Sequence, residues 1–181
     1  MYNKLIVFIL GILSSCLVNA HGDVWVGVDT NNLTLSVMRG EEIELSFNNI
    51  SIGRYGASKA RMMGDNRTPL GTFRIGWIKE SSRFHRFFVF DFPNQEAADL
   101  ALAENRITKE TWQSIMNALN TGQSPPQNTP LGGYLGIHGL GRGDQKVHQR
   151  YNWTNGCIAL TNAQIDQLSK WLKPGVLVKI W

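Results

Sequence analysis

With 181 residues, 43% of them hydrophobic and only 18% charged, the chain has the means to bury one good core and is not a disordered polymer. Its formal net charge of +4 is mild, and no run of lysines and arginines interleaved with aromatics marks a nucleic-acid surface. Attraction to an anionic polymer is compatible with this charge, although the charge alone does not demonstrate it.

Residues 1–20 read as a secretory signal peptide. Lys4 supplies the positive start, Leu5 to Leu13 the apolar run and Val18-Asn19-Ala20 a small-residue cleavage site. The run is too short for a stable membrane span. Leu13-Ser14-Ser15-Cys16 also looks like a lipoprotein cleavage box that would leave Cys16 lipidated. Plain secretion is preferred, because so few residues separate Cys16 from the first strand. Either route exports residues 21–181, expected as one domain, to the periplasm or cell envelope.

Val24 to Val28 forms a first apolar strand, ended by the turn cluster Asp29-Thr30-Asn31-Asn32. Leu33, Leu35 and Val37, then Ile43, Leu45 and Phe47, alternate with polar residues, the mark of half-buried antiparallel strands. The chain therefore opens as a β-meander. Gly53 to Arg67 reads as loop, closed by a turn at Thr68-Pro69-Leu70-Gly71. Phe73 to Lys79 and Phe84 to Phe92 read as two further strands. His85 begins the second of these and is assigned no role.

The period then changes. Asn94 is placed to cap one helix, and Thr108 to cap a second with Trp112, Ile115, Met116 and Leu119 on one face. This insertion is expected to pack on the sheet and to stand beside the site as a wall or lid. Gln123 to Gly133 is a loop leading into a strand from Tyr134 to His138. Further on, Thr161-Asn162-Ala163-Gln164 is a capping-box pattern opening a helix with Ile165, Leu168 and Leu172 on one face. Val176 to Ile180 is a last apolar strand.

The chemistry concentrates between Tyr134 and Thr161. Once residues 1–20 are removed Cys157 is the sole cysteine, so no internal disulfide can form. A free cysteine is commonly a small buried hydrophobe, but the turn-formers Thr154-Asn155-Gly156 around this one argue against burial. A histidine beside it could take the thiol proton and give a thiolate–imidazole pair ready to attack a carbonyl. Gly156 allows a tight turn that faces main-chain N–H groups toward a developing oxyanion. Two histidines compete for the role of base. His138 ends an apolar strand, whereas His148 sits among Lys146, Gln149 and Arg150 and reads as a solvent-exposed loop residue.

An apolar strand ending in His138-Gly139, a glycine-rich loop and then Thr154-Asn155-Gly156-Cys157-Ile158 resembles the catalytic motif of the L,D-transpeptidases, the YkuD family. Thr68-Pro69-Leu70-Gly71-Thr72-Phe73 resembles that family's Thr-Pro-x-Gly-x-Phe segment, so the likeness runs from about Val24 to Trp181. Two positions depart from it. The family often has His before the Gly-Cys pair and Arg two places after the Cys, where this chain has Asn155 and Ala159.

The resemblance implies a mainly β fold, a YkuD-like β-sandwich with a helical insertion and a C-terminal helix. It implies Cys157 as nucleophile, His138 as base, backbone support from Gly156 and Gly139, and no metal or cofactor. Thr154, Asn155, Trp153, Arg142 and Arg150 are candidate substrate contacts, with Arg142 or Arg150 standing in for the arginine missing at 159. The implied partners are peptidoglycan stem peptides, with a second stem or an envelope protein as acyl acceptor; no nucleic acid is expected, and the protein is expected to be a monomer. Hydrolysis, with water as acceptor, is the alternative outcome. A zinc protein using Cys157 with His85, His138 or His148, and a catalytically silent envelope-binding module, are the competing readings.

Overall fold

The computed structural model describes residues 22–81 and 83–181, so the signal-peptide and Cys16 expectations lie outside the described residues. The meander forms as expected: β1 (Val24–Asp29), β2 (Thr34–Arg39) and β3 (Glu42–Asn48) pair antiparallel in sequence order. Alternation does its work in β2, where Leu35 and Val37 are fully buried and their neighbours are not. β6 (Gly71–Ser81), β7 (His85–Phe90), β8 (Gly136–Gly139), β9 (Ile158–Leu160) and β10 (Leu177–Ile180) complete one eight-stranded sheet, ordered β3-β2-β1-β10-β6-β7-β8-β9.

The expected sandwich takes the form of two half-sheets that share β6. Its first residues pair with β10 and its later ones with β7, with a register shift between Ile75 and Trp77. The sheet is mixed, because β1 with β10 and β8 with β9 are parallel pairs. The two ends of the order also meet. Ser51, just after β3, bridges Ala159 of β9, with N–H···O bonds of 2.9 and 2.7 Å in the two directions.

Aromatic packing fills the interior. Phe73 stacks on Phe90 with ring centroids 5.6 Å apart and meets the edge of Phe92 at 5.9 Å. The helices α1 (Gln95–Ala103) and α2 (Lys109–Asn120), capped by Asn94 and Thr108, bury Ala98, Ala101 and Ile115. α4 (Asn162–Leu168) carries the reciprocal Thr161–Gln164 capping box and buries Ile165 and Leu168. None of these helices is long and apolar enough to cross a membrane.

Three local expectations are corrected. The segment read as loop plus turn holds a small parallel pair, β4 (Ala57–Ser58) with β5 (Thr68–Pro69), the proline taking the second place of a two-residue strand. The catalytic strand starts at Gly136, because Tyr134 adopts φ +51, outside the extended region. The charged loop contains a short helix, α3 (Gln145–Arg150), capped by Asp144, whose side chain accepts from Lys146 N.

Deleting the Phe90 side chain should cost about 3–5 kcal/mol, since it leaves a cavity in a stacked aromatic cluster. Ile43→Ala, on the edge strand with its side chain 64% exposed, should change stability by less than about 0.5 kcal/mol. Urea midpoints of the two variants test this directly.

Candidate active site

Two short strands bring the chemistry together. β8 ends in His138-Gly139, β9 begins one residue after Cys157, and the parallel register pairs Ile137 with Ile158 and His138 with Ala159. His138 and Cys157 thus line one cavity of about 540 Å³.

His138 is buried, and its Nδ1 lies 2.8 Å from Gly139 O. A carbonyl can only accept, so Nδ1 carries the proton and Nε2 keeps its lone pair. Three aromatic rings hold the imidazole: Phe84 at 4.3 Å between centroids, Phe87 at 5.7 Å and Trp153 at 5.9 Å. Burial pushes its pKa down to about 4, the Gly139 carbonyl opposing and the charges of His148 and Arg83 adding to the fall.

Cys157 is part-buried, and its thiol donates to Tyr134 O at 3.6 Å. Burial pushes the thiol up to about 11, against the Gly136 backbone and the Arg61 charge, which favour the thiolate. The resting pair is therefore a thiol beside a neutral imidazole. The sequence reading has a thiolate–imidazole pair; burial removes water from both groups and disfavours the charged form of each.

The turn before the nucleophile is braced from within. Thr154 Oγ1 donates to Cys157 O at 2.6 Å and accepts from Gly156 N at 3.1 Å. Gly156 sits at φ +124, and a Cβ there would meet Arg67 O at 2.6 Å, so glycine is required. The Gly156 amide, one of the main-chain N–H groups expected to face an oxyanion, is committed to Thr154, and the Cys157 amide is the next in the turn. Gly139 contributes its carbonyl, and a Cβ on it would strike Asn162, Ile165 and Phe84 O.

His148 is not the solvent-exposed residue its charged neighbours suggested. It is buried on α3 and accepts the Trp153 indole N–H on Nδ1 at 3.2 Å. Its Nε2 makes no hydrogen bond, and burial lowers its pKa, the Asn49 backbone opposing. Trp153 is half-buried between the two histidine rings, and Ser51 Oγ accepts from its backbone N–H.

The remaining sequence candidates divide. Asn155 is exposed at the cavity and accepts from Arg54 Nη2 at 2.8 Å. Arg142 lies in an adjoining groove of about 450 Å³ with Arg83, Phe84 and Trp153. Arg150 lines neither cavity, and no residue of α1 or α2 lines the one holding Cys157. His85 lies elsewhere, hydrogen-bonded to Asp166 at 2.9 Å. Among the described residues no group of three His, Cys, Asp or Glu is placed to hold a metal ion. Arg54, Arg61 and Arg83 do line the cavity, and sequence reading singled out none of the three as a site residue.

The family model for the L,D-transpeptidase catalytic domain, YkuD, matches residues 23–180. The chain belongs to this family. Among solved structures it is similar to the helical cell shape determining protein Pgp2 from Campylobacter jejuni, at 18% identity and TM-score 0.58, over 87% of this chain and 47% of that one. It is also similar to Bd1075 from Bdellovibrio bacteriovorus, at 20% identity and TM-score 0.52, over 90% of this chain and 49% of that one. An L,D-transpeptidase from Enterococcus faecium matches at 12% identity and TM-score 0.50, over 88% and 50%. The chain spans about half the length of each, and at these identities the likeness is one of fold. No curated protein sequence matches.

Within the YkuD pattern, Ala159 is fully buried and its backbone is paired with Ser51 in both directions. Positive charge reaches this cavity from other segments, through Arg54, Arg61 and Arg83, and no aspartate or glutamate lies among the described lining residues.

Two measurements follow from the neutral pair. Iodoacetamide labelling of Cys157 should vary by less than about threefold from about pH 5 to 9, because His138 takes the proton during attack. In His138→Ala the rate should rise about tenfold per pH unit, as it then follows the thiolate alone. The second concerns stability. The unfolded chain protonates His138 near 6.5 and the folded one only near 4, so the unfolded state binds more protons in between. Stability should therefore fall as pH drops from about 6.5 to about 4, by up to about 3 kcal/mol. His138→Gln should flatten that part of the profile, read as urea midpoints against pH.

Proposed function

We propose that the protein is a cysteine acyltransferase that remodels peptidoglycan stem peptides. One observation carries the reading: a cysteine and a tautomer-fixed histidine share a cavity lined by three arginines, with no carboxylate among the described lining residues. Such a cavity suits an anionic substrate bearing an amide, and stem peptides carry several carboxylates.

The mechanism follows from the residues. A tetrapeptide stem binds with its carboxylates toward the arginines and the carbonyl of its third residue over Cys157. As sulfur attacks, the thiol proton passes to His138 Nε2, while Nδ1–H stays on Gly139 O and stabilises the imidazolium. The Cys157 amide meets the oxyanion. The adduct collapses, His138 protonates the leaving amine of the terminal D-alanine, and a thioester remains on Cys157. An amine of a second stem, or of an envelope protein, then attacks the thioester with its proton going to His138, giving a cross-link or an attached protein. Water in the same place releases a trimmed tripeptide, the alternative outcome. No step needs a metal or cofactor.

This reading places the enzyme outside the cytoplasm, on the wall, acting as a monomer. Its activity would bear on cell shape, the property named for the Campylobacter jejuni protein.

Incubating purified protein with tetrapeptide stems, alone and with an amine acceptor stem, and following products by mass tests the proposal. We expect loss of the terminal alanine and a cross-linked product, both reduced at least about a thousandfold in Cys157→Ser. Tripeptide alone would select hydrolysis. Near-normal turnover by Cys157→Ser would sink the covalent mechanism.

A further inference from the structure

Arg61, in the loop between β4 and β5, is buried to 5% exposure, an expensive place for a guanidinium. Its bonded partners are neutral: Nε donates to Arg67 O at 3.2 Å and Nη1 to Leu131 O. Its face lies over the Phe92 ring, 5.7 Å from the centroid. The one carboxylate near it, Asp65, is 3.9 Å from Nε and is occupied elsewhere, accepting from Met62 N at 2.8 Å and Arg67 N at 2.9 Å.

Two loops make room for this cation. A Cβ on Gly132 would collide with Nη1, and a Cβ on Gly156 would come within 3.4 Å of Nε, besides striking Arg67 O. The guanidinium thus ties the Leu131 loop to its own segment by hydrogen bonds and packs against Gly156 of the turn carrying Cys157. A buried charge met by carbonyls and one distant carboxylate is only partly balanced in the resting molecule. The cavity that Arg61 lines holds the group able to balance it when sulfur becomes anionic.

We propose that Arg61 is a positioning residue for the nucleophile, packing against the Cys157 turn and holding an only partly balanced positive charge beside the sulfur while it is a thiolate. Its charge favours the Cys157 thiolate, and the thiolate in turn favours the charged guanidinium against burial. The other ionisable groups lining the cavity are His138, Arg54, Arg83 and Tyr134. Arg54 is exposed and committed in part to Asn155, which sets Arg61 apart as the buried one. The proposal rests on the reading of Cys157 as nucleophile.

The test is the pH dependence of Cys157 alkylation by iodoacetamide in purified protein, made in a His138→Ala background so that labelling reports the thiolate alone. Adding Arg61→Met should move the titration upward by at least about one pH unit, a tenfold slower labelling below it. Arg61→Lys, which keeps the charge and loses the fork, should recover most of that shift. A merely structural role would instead loosen the turn and leave labelling unchanged or faster in both variants, and that result overturns the proposal. If Arg61→Met fails to fold, Asp65→Asn serves, since it removes the carboxylate that partly balances Arg61. Labelling should then speed up severalfold, and an unmoved titration again overturns the proposal. Alkylation needs no substrate, so inactivity toward stem peptides would remove the proposed function and leave this result standing.

Discussion

The parallel pairing of β8 with β9 is the constraint on which the site depends. β8 carries His138 at one end, and Cys157 lies just before β9, so only this register sets the two side chains beside one cavity. The pairing is held from both sides, by β7 along β8 and by Ser51 along Ala159. Ser51 does more than close the sheet. Its hydroxyl donates to Tyr151 O at 3.1 Å and accepts from Trp153 N at 3.1 Å, which fixes the chain entering the nucleophile turn. Ser51 thereby couples the two ends of the sheet to the turn that carries Cys157.

Burial then decides the electrostatics. Water is removed from both the thiol and the imidazole, which disfavours the charged form of each. Such a site leaves little standing thiolate. Arginines from three different segments line the same cavity and set fixed positive charge in it. Fixed charges of this kind act without reorganising during the reaction.

Trp153 links His138 to a second buried histidine. Its indole N–H points to His148, and its ring meets the rings of both histidines. His148 is thus tied to the base through an intervening ring, a supporting place that its sequence neighbours conceal. The same helix turns Lys146, Gln149 and Arg150 to solvent, so one buried residue in a charged run is the ordinary outcome of helical periodicity over six residues.

The sequence by itself determined the order of β1, β2, β3, β6, β7, β8 and β10, the places and capping of α1, α2 and α4, and the motif through which the family is recognised. These are local matters. Period-two alternation in β2, the Thr161–Gln164 box and the glycine that must turn before Cys157 are each written within a few residues. What only the tertiary structure decided depends on partners far apart in the chain. The parallel β8–β9 and β1–β10 pairs, the bridge from Ser51 to Ala159, the burial of His148 and the gathering of Arg54, Arg61 and Arg83 leave no periodic trace. The neutral state of the Cys157–His138 pair belongs with these, because the pKa of each group answers to the dielectric and charges that folding brings around it, and the sequence names the groups without their surroundings.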